Sequence, residues 1–162
     1  INFGLEKCIY MGNLDAQRDW GHAKDYVYMQ WLMLQQEEPE DFVISTGQMN
    51  SVRDFIELCA LELGWNKEEG TNGIIWEKSG IDEVGKRADT EEVVVKIDPR
   101  YFRPTEVEQL LGDSSKARNK LKWQPKISLN QLISEMIKED SNEAKKEYIL
   151  KNKGFSIYST KE

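Results

Sequence analysis

Two short runs hold the residues best suited to chemistry. One is Arg18-Asp19-Trp20, inside the stretch "NLDAQRDWGHAKDYV" (residues 13–27), which also carries His22, the single histidine. The other is Arg103-Pro104-Thr105-Glu106. Arginine presents a planar fork of N–H donors that grips a phosphate at two points. Two such forks on separate loops can straddle a diphosphate. An ionised carboxylate such as Glu106 only accepts hydrogen bonds, and a pair of sugar hydroxyls supplies two donors. Together these groups suit a nucleotide-sugar: diphosphate, ribose and hexose. Plainer alternatives stay open on the residues alone. Arg18 could pair with Asp15 or Asp19, and Arg103 with Glu106, as ordinary surface ion pairs.

Both runs stand where the chain leaves regular structure. Residues 8–11 read as a strand ended by the turn signal Gly12-Asn13. Residues 23–36 read as a helix apolar on most sides, with Val27, Trp31 and Leu34 on one stripe and Met29 and Met33 on another, hence a buried helix. "DFVIST" (41–46) reads as a buried strand. Ser51 with Asp54 caps a helix whose Val52, Phe55, Ile56, Cys59 and Leu63 share a face, and Gly64 ends it. Residues 74–77 and 93–98 read as strands, with a long surface loop over 78–92. Asp113 caps a short helix over 114–121. Ser128 and Gln131 form a capping box ahead of a stripe of Leu129, Leu132, Ile133, Met136 and Ile137. The charged end, about 142–162, is expected to be helical and then frayed. Alternating strands and helices predict an α/β fold in a single domain, 1–162.

Composition narrows the field. The 162 residues carry a net charge of -7, which gives no footprint for nucleic acid or an anionic membrane. No apolar run approaches the ~20 residues of a membrane span, and no signal peptide is visible. Cys8 and Cys59 match no metal or redox spacing and sit among apolar residues, so both are expected as buried, reduced thiols in a cytoplasmic protein. One histidine cannot build a histidine metal site. It is expected, like Trp20 and Asp25, to hold structure, Asp25 by meeting the helix dipole or loop amides. No two glycines stand two apart, and no Tyr is followed four residues later by Lys.

The segments "GNLDAQRDWGHAKDYV", "QQEEPEDFVISTG", "SVRDFIE" and "DPRYFRPTEVEQLLGDSSKARNKLKWQPKISLNQLISEMI" together resemble the C-terminal part of the GDP-mannose 4,6-dehydratase family. The likeness runs from about Leu5 to Ile137, in order and spacing, apart from residues 66–92. It implies an extended short-chain dehydrogenase (Rossmann-type) α/β fold, of which this chain would be the C-terminal part with its substrate-binding subdomain. The N-terminal half would hold NADP and the catalytic Thr/Glu/Tyr/Lys set. The glycine fingerprint and Tyr-x-x-x-Lys are absent here and the chain begins at Ile1 without a methionine, so a fragment without that half is expected, inactive alone. By motif, Arg18 and Arg103 would grip the diphosphate of GDP-mannose from two sides, Glu106 would hold ribose hydroxyls, and Asn13 would lie beside the nucleotide. No catalytic, cofactor-binding or metal residue is assigned within the chain.

The family reaction is a lyase reaction. It removes water from GDP-mannose to give GDP-4-keto-6-deoxymannose, a precursor of GDP-fucose, with NADP accepting and returning a hydride. The resemblance also implies a homodimer or tetramer. Two alternatives stand beside it. One is a non-catalytic GDP-sugar-binding or subunit-docking module from a truncated gene. The other is a different nucleotide-sugar dehydratase or epimerase.

Overall fold

The computed structural model describes residues 1–103 and 111–155. Its central sheet has the order β1-β6-β5-β4, made of Ile9–Met11 (β1), Val93–Ile97 (β6), Val84–Arg87 (β5) and Ile74–Glu77 (β4). β1 and β6 run parallel, with Met11 opposite Ile97; the other pairs are antiparallel. A second, two-stranded sheet pairs Gln17–Arg18 (β2) with Asn50–Ser51 (β3). The helices are Ala23–Leu34 (α1), Val52–Glu62 (α2), Ser115–Leu121 (α3) and Leu129–Asn152 (α4).

Helix ends follow the local chemistry. Ser51 with Asp54, and Ser128 with Gln131, close full capping boxes, each satisfying a backbone donor in both directions. Asp113 accepts the Ser115 amide at 2.9 Å, and Ser114 takes the N-cap position of α3. Gly64, at φ +71°, ends α2 in the left-handed conformation that glycine adopts without steric cost.

Two apolar cores form. Ala60, Trp65, Ile74, Val94 and Val95 bury one between the sheet and α2. Met29, Ala117, Leu121 and Trp123 bury the other, with Phe42 and Ile44 packed on it. Asp25 joins α1 to the segment before α4. Its carboxylate accepts the amides of Lys126 and Ile127 at 2.9 Å each, and its carbonyl accepts the Trp123 indole N–H at 3.0 Å. Helix α4 is tied to α1 a second time at His22. The His22 Nδ1 accepts the Lys24 amide at 3.0 Å, so the proton sits on Nε2, which donates to Glu135 at 3.2 Å. The bond from Lys24, and then that from His22, holds the Glu135 carboxyl below its ordinary range.

The structure corrects several expectations. Residues 78–92 are not a loop throughout: they contain a 3₁₀ turn, Gly80–Asp82, and strand β5. β5 reads "VGKR", with one large apolar residue, and is a strand because β4 and β6 flank it. The Trp76 ring lies across Gly85, where a Cβ would come within 2.8 Å of it. Residues 41–46 are not a strand and pair with none among the described residues; Phe42 and Ile44 turn inward while Val43 is exposed. Helix α1 is not buried all round. Met29 is fully buried, whereas Val27, Trp31 and Leu34 are exposed, Leu34 at 81%. Helical period therefore marked the Met29 stripe correctly and the Val27 stripe wrongly. Both cysteines are free but only half-buried. The tail is helical through Asn152; residues 156–162 lie outside the described set.

Two measurements follow from this packing. Asp25→Ala strips the acceptor from two amides and is expected to lower stability by about 2–4 kcal/mol, read from the urea midpoint; Asp25→Asn, which keeps one acceptor, should lose less. Burial pushes the Cys59 thiol up to about 11. Its thiolate is then scarce at pH 8, and alkylation should run on the order of a hundredfold slower than for a free cysteine. Mass spectrometry of iodoacetamide-treated protein checks this, and labelling as fast as free cysteine would contradict it.

Candidate nucleotide-binding cleft

The parallel pair sets the geometry. β1 and β6 end side by side, so the loops after Met11 and after Ile97 leave the sheet at the same edge. Ligands of α/β sheets gather beyond the carboxyl ends of parallel strands. The two loops are clasped at three points. The Asp98 amide donates to the Met11 carbonyl at 2.9 Å. The Tyr101 carbonyl rests against Gly12 so closely that a Cβ there would lie 2.4 Å from its oxygen. Asn13 Nδ2 donates to the Arg103 carbonyl at 2.8 Å.

A cavity of about 350 Å³ opens over this clasp, lined by Asn13, Arg18, Arg100 and Arg103 among others. Arg18 reaches it from β2, which β3 holds in register opposite Asn50. The Arg18 Nη1 donates to the Gln17 carbonyl at 2.7 Å. A neighbouring cavity of about 450 Å³ shares Gly12, Asn13 and Ala16 and is walled by Asp15, Glu83 and Phe102. Asn13 therefore stands between the two. Its Nδ2 is committed to the Arg103 carbonyl, and its Oδ1 is buried without a hydrogen-bond partner among the described residues.

Asp15 and Asp19, the acids flanking Arg18 in sequence, hold partners of their own. Asp19 accepts the amides of Thr46 and Gly47 and the Thr46 hydroxyl, at 2.6–3.1 Å, and so pins the end of the 41–46 run against β2. Asp15 and Glu83 both bind Arg53, whose guanidinium also stacks 4.7 Å from the Trp76 ring. The Glu83 bond, as the largest cause, holds Arg53 above its ordinary pKa. Trp20 packs on Phe55, ring centroids 4.9 Å apart.

Of the residues predicted from sequence, Asn13, Arg18 and Arg103 come together at one cavity. Glu106 lies outside the described residues. Arg100 went unpredicted; its signal was its place three residues before Arg103 on the same loop. It forms an ion pair with Asp98, at 2.6 Å from Nη2, which lowers the Asp98 pKa and raises its own.

The fold is shared with solved structures. A structure of RMD from Pseudomonas aeruginosa complexed with NADPH aligns at TM-score 0.60 and 18% identity, over 85% of this chain and 37% of that one. A UDP-glucose 4-epimerase from Thermotoga maritima, solved with UDP-glucose, aligns at 0.60 and 21%, over 85% and 36%. More specifically, residues 1–136 match the family model described as GDP-mannose 4,6 dehydratase, and the chain belongs to that family. The GDP-mannose 4,6-dehydratase of Yersinia enterocolitica is 50% identical over the whole chain, which spans 44% of that relative's length.

Gly12→Ala tests the clasp. The added methyl meets backbone, not a yielding side-chain tip, so a loss of about 1–3 kcal/mol in urea unfolding is expected. An unchanged midpoint would show that the Tyr101 loop is free to move away.

Proposed function

We propose that this chain is the GDP-sugar-binding portion of an enzyme that dehydrates GDP-mannose to GDP-4-keto-6-deoxymannose, a lyase reaction. One observation carries the reading: Arg18 and Arg103, distant in sequence, line one cavity beyond the carboxyl ends of a parallel strand pair. Family membership supports the substrate.

In this reading Arg18 and Arg103 each take a phosphate of the diphosphate through charge-assisted, two-point hydrogen bonds. Asn13 fixes the Arg103 backbone, and Glu106 takes the ribose hydroxyls on the strength of the resemblance. Holding the diphosphate at two points fixes where the hexose lies, which is how a binding segment contributes to a rate without touching the reacting atoms. NADP supplies hydride chemistry in the intact family. Among the described residues no strand runs straight into a glycine-rich turn and a helix, the arrangement that cradles a dinucleotide's pyrophosphate. We assign no residue of this chain to the cofactor and no step to it.

The reading includes assembly as a dimer or tetramer and a cytoplasmic location. Two free thiols suit a reducing compartment. No described helix is long and apolar enough to cross a membrane.

Calorimetric titration with GDP-mannose, GDP, UDP-glucose and dTDP-glucose tests the proposal. GDP compounds should bind the chain in preference to the others. Arg103→Ala and Arg18→Ala should each weaken GDP binding by about 1.5–3 kcal/mol, the range for a hydrogen bond to a charged group. Equal affinity for all four nucleotides, or indifference to both substitutions, would sink it.

A further inference from the structure

The loop that carries Arg103 also carries Arg100, and the two line one cavity with Arg18. Resting on the reading above, we propose that Arg100 is a third diphosphate-binding group, and that it makes the cleft prefer a nucleoside diphosphate over the corresponding monophosphate.

The geometry has the marks of a held donor. Asp98 closes β6, its amide bonded to the Met11 carbonyl at 2.9 Å, so its position belongs to the sheet. One of its carboxylate oxygens accepts the Arg100 amide at 2.9 Å, which folds the chain back in a tight turn. The same carboxylate then takes the Arg100 side chain through Nε, at 3.0 and 3.1 Å, and through Nη2 at 2.6 Å. The Asp98 side chain is 11% exposed and that of Arg100 is 79% exposed. An exposed pair of this kind adds little to stability. What it does is hold a long side chain still. Of the five N–H groups of a guanidinium, Asp98 occupies the one on Nε and one on Nη2. Both on Nη1 and the second on Nη2 are left for another acceptor.

Charge counting agrees. Each phosphate of a nucleotide-sugar diphosphate bears a negative charge. Arg100, offset by Asp98, adds donors more than net charge. A nucleoside diphosphate has more phosphate oxygens than a monophosphate, and a third guanidinium at the same cavity supplies donors for them. Because the side chain is already ordered by Asp98, little further conformational freedom is lost when it binds.

The test is Arg100→Gln and Arg100→Lys in this chain, titrated with GDP and GMP. Arg100→Gln should weaken GDP binding about tenfold and GMP binding hardly at all, so the GDP-to-GMP preference falls. Arg100→Lys should recover part of the loss, having the charge without the fork. Equal losses for GDP and GMP would mark Arg100 as structural and overturn the proposal, as would unchanged affinity for both. If the unsubstituted chain binds neither nucleotide, the GDP-binding reading falls and takes this inference with it. If it binds GDP and Arg100→Gln binds equally well, only the inference falls.

Discussion

The parallel pairing of β1 with β6 is the constraint from which the cleft follows. The two strands are separated by some eighty residues of chain, yet their ends are locked residue to residue, Met11 against Ile97. Two walls of the cavity hang from those ends: Gly12 and Asn13 after one, Arg100 to Arg103 after the other. Had the strands run antiparallel, these loops would lie at opposite edges of the sheet. Close contact between Gly12 and the Tyr101 carbonyl then sets how near the loops come, and only a hydrogen side chain permits it.

The other elements serve this arrangement in turn. β3 holds β2, and β2 carries Arg18 into the cavity. Asp19 ties the same strand end to Thr46 and Gly47. Behind them, the buried Asp25 binds the chain at Lys126 and Ile127, which leads directly into the capping box of α4. A guanidinium on a short strand is thus backed by carboxylates that accept backbone N–H groups. This is an economical way to hold a polar surface rigid with few apolar contacts.

Much of this was legible in the residues, for identifiable reasons. Capping boxes are local chemistry, so Ser51/Asp54 and Ser128/Gln131 could be read off directly. Motif likeness pointed to Arg18, Arg103 and Asn13, and the three line one cavity. What escaped depended on partners distant in sequence. β5 has little strand propensity of its own and exists because two neighbours offer backbone bonds on both sides. The reverse held for residues 41–46, which have every local mark of a strand and no strand beside them among the described residues. Periodicity located the faces of α1 but not which of them would be covered. Arg100 escaped because its one local signal, a place three residues before Arg103, does not tell an arginine held at a cavity from one on any turn.

The run at 41–46, which has no strand beside it among the described residues, is held by side chains instead. Lys116 donates to the Asp41 carbonyl, the Ser114 hydroxyl to that of Ser45, and Arg118 to that of Thr46. Lys116 and Lys120 also meet Glu40, within the acidic stretch of Glu37, Glu38, Glu40 and Asp41. Ion pairs between partly exposed groups weaken as salt screens them, so this part of the hold that α3 keeps on the run declines with ionic strength.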